Sequence, residues 1–216
     1  MKKNKTKKQN KIKEINHIKK HTTKIIAILV IVFALFFMFN NGGNKMQDKE
    51  KNKATIVVME TSKGNIEIEL NSEKAPISVK NFLNYVDKKH YDGTVFHRVI
   101  SNFMIQGGGF TPDGEQKSVD SPIKLESNNG LKNEEGTIAM ARTMIADSAT
   151  SQFFINVKSN PFLNYAPGND GYAVFGKVTS GMEVVHEIKT VNTGTKFGMG
   201  DWPTEDVVIT KVYLKE

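Results

Sequence analysis

Residues 96–109 read Phe-His-Arg-Val-Ile-Ser-Asn-Phe-Met-Ile-Gln-Gly-Gly-Gly. The runs Thr94–Ile100 and Phe103–Gln106 are dominated by β-branched, aromatic and other apolar residues, the types that fit a pleated surface. They predict two strands, and Asp92-Gly93 just upstream is a turn signal. Outward toward the N-terminus, Asn65–Leu70 alternates Ile66, Ile68 and Leu70 with Asn65, Glu67 and Glu69, the period-two pattern of a strand with one buried face. Thr55–Glu60 reads as its partner, with Ser62-Lys63-Gly64 as the hairpin turn.

Pro76 is placed to open a helix. Val79, Phe82, Leu83 and Val86 follow at i, i+3, i+4 and i+7, an apolar stripe that predicts a helix to about Lys89. Outward toward the C-terminus, Thr137–Ala141, Gln152–Val157 and Tyr172–Val178 read as short strands. A second helix is predicted over Met182–Ile188, after Gly181, and Val207–Leu214 reads as a closing strand, apolar at nearly every position and so buried. Many short strands and two helices make the body mostly β, either a closed antiparallel barrel or a sandwich.

The chain has 216 residues, enough for one domain and a tail or for two very small domains. With no Cys it has no disulfide framework, no Cys-ligated metal and no Cys nucleophile. Its net charge of +7 is unevenly distributed. Residues 1–53 carry 14 Lys against Glu14, Asp48 and Glu50, whereas residues 54–216 carry 16 basic and 20 acidic side chains. The body is mildly acidic, which argues against a nucleic-acid groove.

The basic arm, residues 1–24, precedes Ile25–Phe39, fifteen residues without a polar side chain. At ~1.5 Å per residue that run covers most of a ~30 Å hydrocarbon core. Thr22, Thr23 and the Asn40–Gly43 edge supply the missing turn, and Lys24 can snorkel. A cleaved signal peptide is the competing reading. The long basic stretch and the lack of an Ala-x-Ala site favour an uncleaved signal anchor, a single transmembrane helix over 25–39. The lysines before the span place the N-terminus in the cytoplasm and the body, residues 54–216, outside the membrane, or secreted if the segment is cleaved. Residues 40–53 read as a flexible linker.

The chain uses 28 Lys and only two Arg, Arg98 and Arg142. Where a surface charge suffices this sequence uses Lys, so the two exceptions point to a need for a planar fork of donors. Arg98 lies within Phe96–Gly109. Arg142 lies in Met140-Ala141-Arg142-Thr143, followed by Ser148-Ala149-Thr150-Ser151-Gln152-Phe153-Phe154-Ile155. Together with Val79-Lys80-Asn81-Phe82, Asn128-Asn129-Gly130-Leu131, Phe162-Leu163-Asn164 and Tyr172-Ala173-Val174-Phe175-Gly176, these stretches closely resemble the cyclophilin family of peptidyl-prolyl cis–trans isomerases, in particular its bacterial branch. Gly107–Gly109 alone would be a weak phosphate-loop signal, and no Gly-x-x-x-x-Gly-Lys-[Ser/Thr] accompanies it.

The resemblance spans residues 54–216. It implies a closed eight-stranded antiparallel barrel capped by two helices, a peptide groove on the outer face, no metal and no cofactor. The implied partners are proline-containing polypeptides, exported or unfolded, with no nucleic acid, and the chain is expected to act as a monomer. Arg98 matches the family's catalytic arginine and Gln106 the glutamine that positions it. Phe103, Met104, Phe154 and Leu163 match the pocket for the proline ring. Ala141, Arg142 and Gln152 match the adjoining groove, whose backbone would pair with an extended peptide. Phe162 takes the place of a tryptophan and Tyr172 that of a histidine in the eukaryotic pattern; both replacements are familiar in bacterial members and keep an aromatic wall. A binding module or holdase chaperone using the same groove without turnover is the alternative. An aligned Arg and Gln favour catalysis, since a pure binder has no need of them.

Consecutive strand residues face opposite sides, so His97 is expected to be a structural histidine on the face away from Arg98. His90 and His186 read as surface residues at helix ends, and Trp202, in a loop over Gly198–Pro203, as a packing residue.

Overall fold

Thr55–Thr61 (β1) and Gly64–Leu70 (β2) form the predicted hairpin, in which Val57 pairs with Ile68 and Met59 with Ile66 in a computed structural model that describes residues 54–215. The alternating Ile66, Ile68 and Leu70 are all buried. The basic arm 1–24, the anchor over 25–39 and the linker 40–53 lie outside the described residues. Among the described residues no helix is long and apolar enough to cross a membrane.

Helix α1 runs Pro76–Asp87 and packs Val79, Phe82, Tyr85 and Val86 into the core. Its N-cap, Ala75, offers no side-chain acceptor. The carboxylate of Glu126 takes that part instead, accepting from the Ile77 and Ser78 backbone N–H groups at 3.0 and 2.8 Å and from the Ser78 hydroxyl at 2.7 Å. First-turn donors are thereby satisfied by a negative charge at the positive end of the helix dipole.

The remaining strands are Thr94–Val95 (β3), Arg98–Ile100 (β4), Met104–Gly107 (β5), Thr137–Met140 (β6), Phe153–Asn156 (β7), Val174–Ser180 (β8), Thr193–Lys196 (β9), Met199–Pro203 (β10) and Val208–Leu214 (β11). Helix α2 spans Met182–Ile188, as predicted. Nine strands form one sheet in the order β3-β11-β1-β2-β8-β6-β7-β5-β4. The expectation of a closed, eight-stranded barrel is corrected. The sheet is open, and no hydrogen-bonded ladder joins its edges β3 and β4. Both edges come from the single strand predicted over Thr94–Ile100, which breaks at Phe96-His97. The Phe96 N–H turns to the Val207 carbonyl on the β11 side, whereas Arg98 pairs with Gln106 on β5.

The main core lies on one face of this sheet and includes Ile66, Ile68, Phe82, Val99, Ile105, Phe153, Ile155 and Phe175. Phe82 packs edge-on to Phe153 and against Phe175, with ring centroids 5.8 and 5.3 Å away. A second, smaller apolar cluster forms around Met104, Ala139, Phe154, Leu163 and Val174. Because side chains alternate, β5 and β7 contribute to both clusters, Ile105 and Ile155 to the first, Met104 and Phe154 to the second.

Three further expectations are corrected. Gly198–Pro203 is not a loop: β9 and β10 form a two-stranded hairpin of their own. His90 is buried rather than exposed, its ring 4.7 Å from that of Tyr85. The closing strand is buried on one face only, with Ile209 and Val212 inside and Thr210 and Lys211 exposed.

Candidate active site

The ladders β4–β5, β5–β7 and β6–β7 set one row of residues across the sheet. Arg98 pairs with Gln106, Gln106 with Phe154, and Phe154 with Ala139. Adjacent strands stand ~4.8 Å apart, so Arg98 starts about two strand spacings, ~10 Å, from Phe154. Alternation puts Arg98 on the face of Ile100, which packs on the smaller cluster, and away from Val99, which belongs to the main core. The guanidinium therefore belongs to the outer, cluster-bearing face, with its side chain 42% exposed.

Six of the predicted site residues meet in the second cluster. Met104, Phe154 and Leu163 are its buried members, and Phe103, Ala141 and Tyr172 pack against it. Leu163 arrives on a 3-10 turn, Pro161–Leu163, which also carries Phe162. Phe162 is 62% exposed and stacks on Phe103 with ring centroids 5.5 Å apart. Tyr172 stands edge-on to Phe154 at 5.6 Å. The result is an apolar cup with one projecting aromatic lip.

Polar groups border the cup. Gln106 Nε2 donates to Gln152 Oε1 at 2.9 Å, which fixes both amides. Gly109 supports this contact: a Cβ there would lie 2.6 Å from Gln152 Cγ. That packing role accounts for a glycine at this point without any phosphate. Arg142 lies over the Tyr172 ring at 4.6 Å, while its Nε donates to the Gly171 carbonyl and Nη1 to the Thr143 carbonyl, each at 2.9 Å. The second arginine thus braces the aromatic wall. The Ala141 N–H donates to the Gln152 carbonyl and the Thr143 N–H to the Ser148 hydroxyl. Part of the backbone expected to receive a peptide is therefore engaged within the chain.

Sequence reasoning missed the amides beneath the cup. Asn133, Asn156 and Asn160 are almost fully buried. Asn156 Nδ2 donates to Thr137 Oγ1, and Asn160 Nδ2 donates both to Asn156 Oδ1 and to the Phe103 carbonyl. Asn133 Nδ2 donates to the Leu163 carbonyl. Two walls of the cup hang on this network. A signal for it was present only at Asn156, a lone amide between Ile155 and Val157, since a buried amide needs hydrogen-bond partners; Asn133 and Asn160 stand among polar or turn residues and carry no such mark.

His97 is buried behind Arg98, with its ring 4.7 Å from Phe110 and 5.9 Å from Trp202. Burial lowers its pKa from 6.5 to about 4, and the Arg98 charge adds to the effect. Its Nδ1 has no hydrogen-bond partner. The unfolded chain takes up this proton near pH 6.5 and the folded chain only near pH 4, so the stability contribution is complete above 6.5 and lost as pH falls to 4. The loss amounts to about 3 kcal/mol. Urea titrations at pH 7 and pH 4 should show that slope, and His97→Gln should flatten it; an unchanged slope would rule out His97 as its source.

The sequence profile described as "Cyclophilin type peptidyl-prolyl cis-trans isomerase/CLD" matches residues 56–214. This chain belongs to the cyclophilin family. A Streptomyces antibioticus protein named peptidyl-prolyl cis-trans isomerase cyp18 is 58% identical over 158 residues, which cover 72% of this chain and 95% of that one. Peptidyl-prolyl cis-trans isomerase B of Escherichia coli K12 is 51% identical over 164 residues, 74% of this chain and 100% of that one. A Cryptosporidium parvum cyclophilin crystallised in the presence of the dipeptide Ala-Pro superimposes with a TM-score of 0.63 at 26% identity, covering 74% of this chain and 99% of that one. The cyclophilin fold and the peptidyl-prolyl isomerase activity of the family are therefore those of this chain. The outer-face cup is the cyclophilin's candidate substrate site.

Proposed function

We propose that this cyclophilin accelerates rotation about Xaa–Pro bonds by offering the Arg98 guanidinium to the prolyl nitrogen at the half-rotated state. A planar amide resists rotation by ~18–20 kcal/mol because the nitrogen lone pair is delocalised into the carbonyl. In the twisted state the lone pair returns to nitrogen and can accept a hydrogen bond. A donor aimed there stabilises the twisted state more than either planar isomer, which is the condition for catalysis. No covalent bond forms or breaks.

The supporting observation is the cross-sheet row Arg98–Gln106–Phe154 on the face that carries the second apolar cluster. Phe103, Met104, Phe154 and Leu163 take the proline ring, which has no N–H to satisfy and suits an aromatic, aliphatic and thioether surface. Gln106, held by Gln152, orients the arginine and the substrate backbone. Ala141, Arg142, Phe162 and Tyr172 border the flanking residues of the peptide. An isomerisation assay of the full chain on an Xaa–Pro peptide tests the reading. Activity that survives the loss of the Arg98 guanidinium overturns it.

We place the enzyme outside the cytoplasmic membrane as a monomer tethered through residues 25–39, acting on exported or unfolded proline-containing polypeptides. The apolar run and the lysines before it support this placement. Protease added to cells stripped of their outer barrier is expected to remove the isomerase domain and leave a membrane-protected N-terminal fragment. Protection of the domain would overturn the orientation, and N-terminal sequencing of a mature form lacking residues 25–39 would overturn the anchor.

A further inference from the structure

The hairpin β9–β10 brings a carboxylate to the arginine. Asp201 Oδ2 lies 3.5 Å from Arg98 Nε, and among the described residues it is the one acidic group within ion-pair distance of that guanidinium. We infer that Asp201 is a positioning residue for Arg98, holding the guanidinium by its Nε side so that the two terminal nitrogens face the cup. The inference rests on the reading of Arg98 given above.

The local structure is built around this placement. Met199 pairs with Lys196 but Trp202 pairs with Gly194, so β10 carries one extra residue between the two pairs. Asp201 sits in that bulge with φ 58, the left-handed region that few residues other than glycine enter without cost. Bulges re-aim side chains next to functional sites. The next residue anchors the bulge. Trp202 is fully buried against Phe197, His97 and Phe110, and its indole N–H donates to Asp206 Oδ1 at 2.8 Å. Lys196 Nζ reaches the same oxygen at 2.9 Å and ties the hairpin base. His97, whose ring lies tilted against that of Trp202, is the chain neighbour of Arg98. The backbone that carries the carboxylate is therefore anchored beside β4 through Trp202.

An arginine at the edge of an open sheet has long-chain rotamer freedom, and its fork is useful only in one orientation. A fixed carboxylate at Nε narrows that freedom. Both partners are partly exposed, so the expected effect is modest, a loss of about two- to fivefold.

The test uses the full chain with an uncharged Xaa–Pro peptide. Asp201→Asn and Asp201→Gly both accept the left-handed backbone, so either removes the charge without disturbing the bulge. Each is expected to lower kcat by about two- to fivefold with KM and Tm unchanged. Raising the salt concentration should lower the wild-type kcat toward that of the variants and leave the variants unchanged. In an Arg98→Ala background the Asp201 changes should be silent. Wild-type or higher kcat in both Asp201 variants, or the same loss with and without Arg98, overturns the inference while leaving the role of Arg98 standing. Full activity of Arg98→Ala overturns both.

Discussion

Replacing Arg98 by alanine is expected to lower kcat/KM for Xaa–Pro isomerisation by about 10²- to 10³-fold, the range found when one preorganised donor to a developing charge is removed. The loss should fall on kcat. The residues proposed to take the proline ring, Phe103, Met104, Phe154 and Leu163, form or pack against a cluster that does not include Arg98, so KM should stay close to its wild-type value. Stability should change by less than about 1 kcal/mol, because the side chain is 42% exposed and its one ion pair lies at the surface. Exchange of an Xaa–Pro peptide followed by NMR gives the rate, and a urea titration gives the stability. A variant within threefold of wild type would remove the arginine from the mechanism. Arg98→Lys should recover only part of the rate, since a point charge on a flexible stem does not reproduce a planar fork.

Much of this site was legible through the resemblance carried by Phe96–Gly109, Met140–Thr143 and Ser148–Ile155, and the strands show in hindsight why those stretches differ from ordinary ones. A strand that covers one core alternates, as Asn65–Leu70 does. Phe103–Gln106 and Gln152–Val157 do not, and the second set of apolar side chains had to cover something else. Arg98 stood out because the chain otherwise uses Lys almost throughout. The hairpin β9–β10 was not legible. Thr193–Lys196 has no apolar alternation, and the two-residue turn places Phe197 at φ 53, where Asn or Asp is the usual signal. The Phe197 ring is used for packing instead: it lies 5.3 Å from that of Trp202, and a Cβ on Gly114 would run into it. Asp201 was hidden for the same reason, since its meaning depends on a bulge that only the folded hairpin creates.

Long-range satisfaction of polar groups was equally invisible. Ala75 looks like a poor start for a helix, and the group that completes it, Glu126, is 48 positions from the Ser78 N–H it accepts. The single strand read over Thr94–Ile100 became two edges of an open sheet because Phe96 and Arg98 find backbone partners on opposite sides. Nothing in the period of the residues records that division. The burial of His90, just past the end of α1, follows from the Tyr85 ring five residues earlier and from the Gly108 carbonyl, 3.3 Å from its Nε2. Burial, together with the charge of Lys117, holds its pKa below the ordinary histidine value.

Phe154→Ala is expected to weaken both turnover and client binding, and the pair Arg98→Ala and Phe154→Ala separates an isomerase from a holdase. Phe154 is 4% exposed and lies at the centre of the cup, with Tyr172 edge-on beside it. Truncation should cost about 3 kcal/mol or more of stability, the lower part of the range for a buried aromatic, since one side of the cavity opens toward the groove. It should also raise KM by tenfold or more if, as proposed, Phe154 is the main apolar contact of the proline ring. Phe154→Leu keeps most of the volume and guards against loss of fold; it should retain stability to within about 1.5 kcal/mol while still raising KM severalfold. Suppression of client aggregation supplies the second measurement. If isomerisation is the function in cells, Arg98→Ala should fail wherever Phe154→Ala fails. If the cup serves as a holdase, Arg98→Ala should protect clients as well as wild type does, and only the Phe154 variants should fail. The aligned Arg98, Gln106 and Gln152 favour the first outcome, since an apolar cup binds proline without them, whereas stabilising a twisted amide requires a fixed donor at its rim.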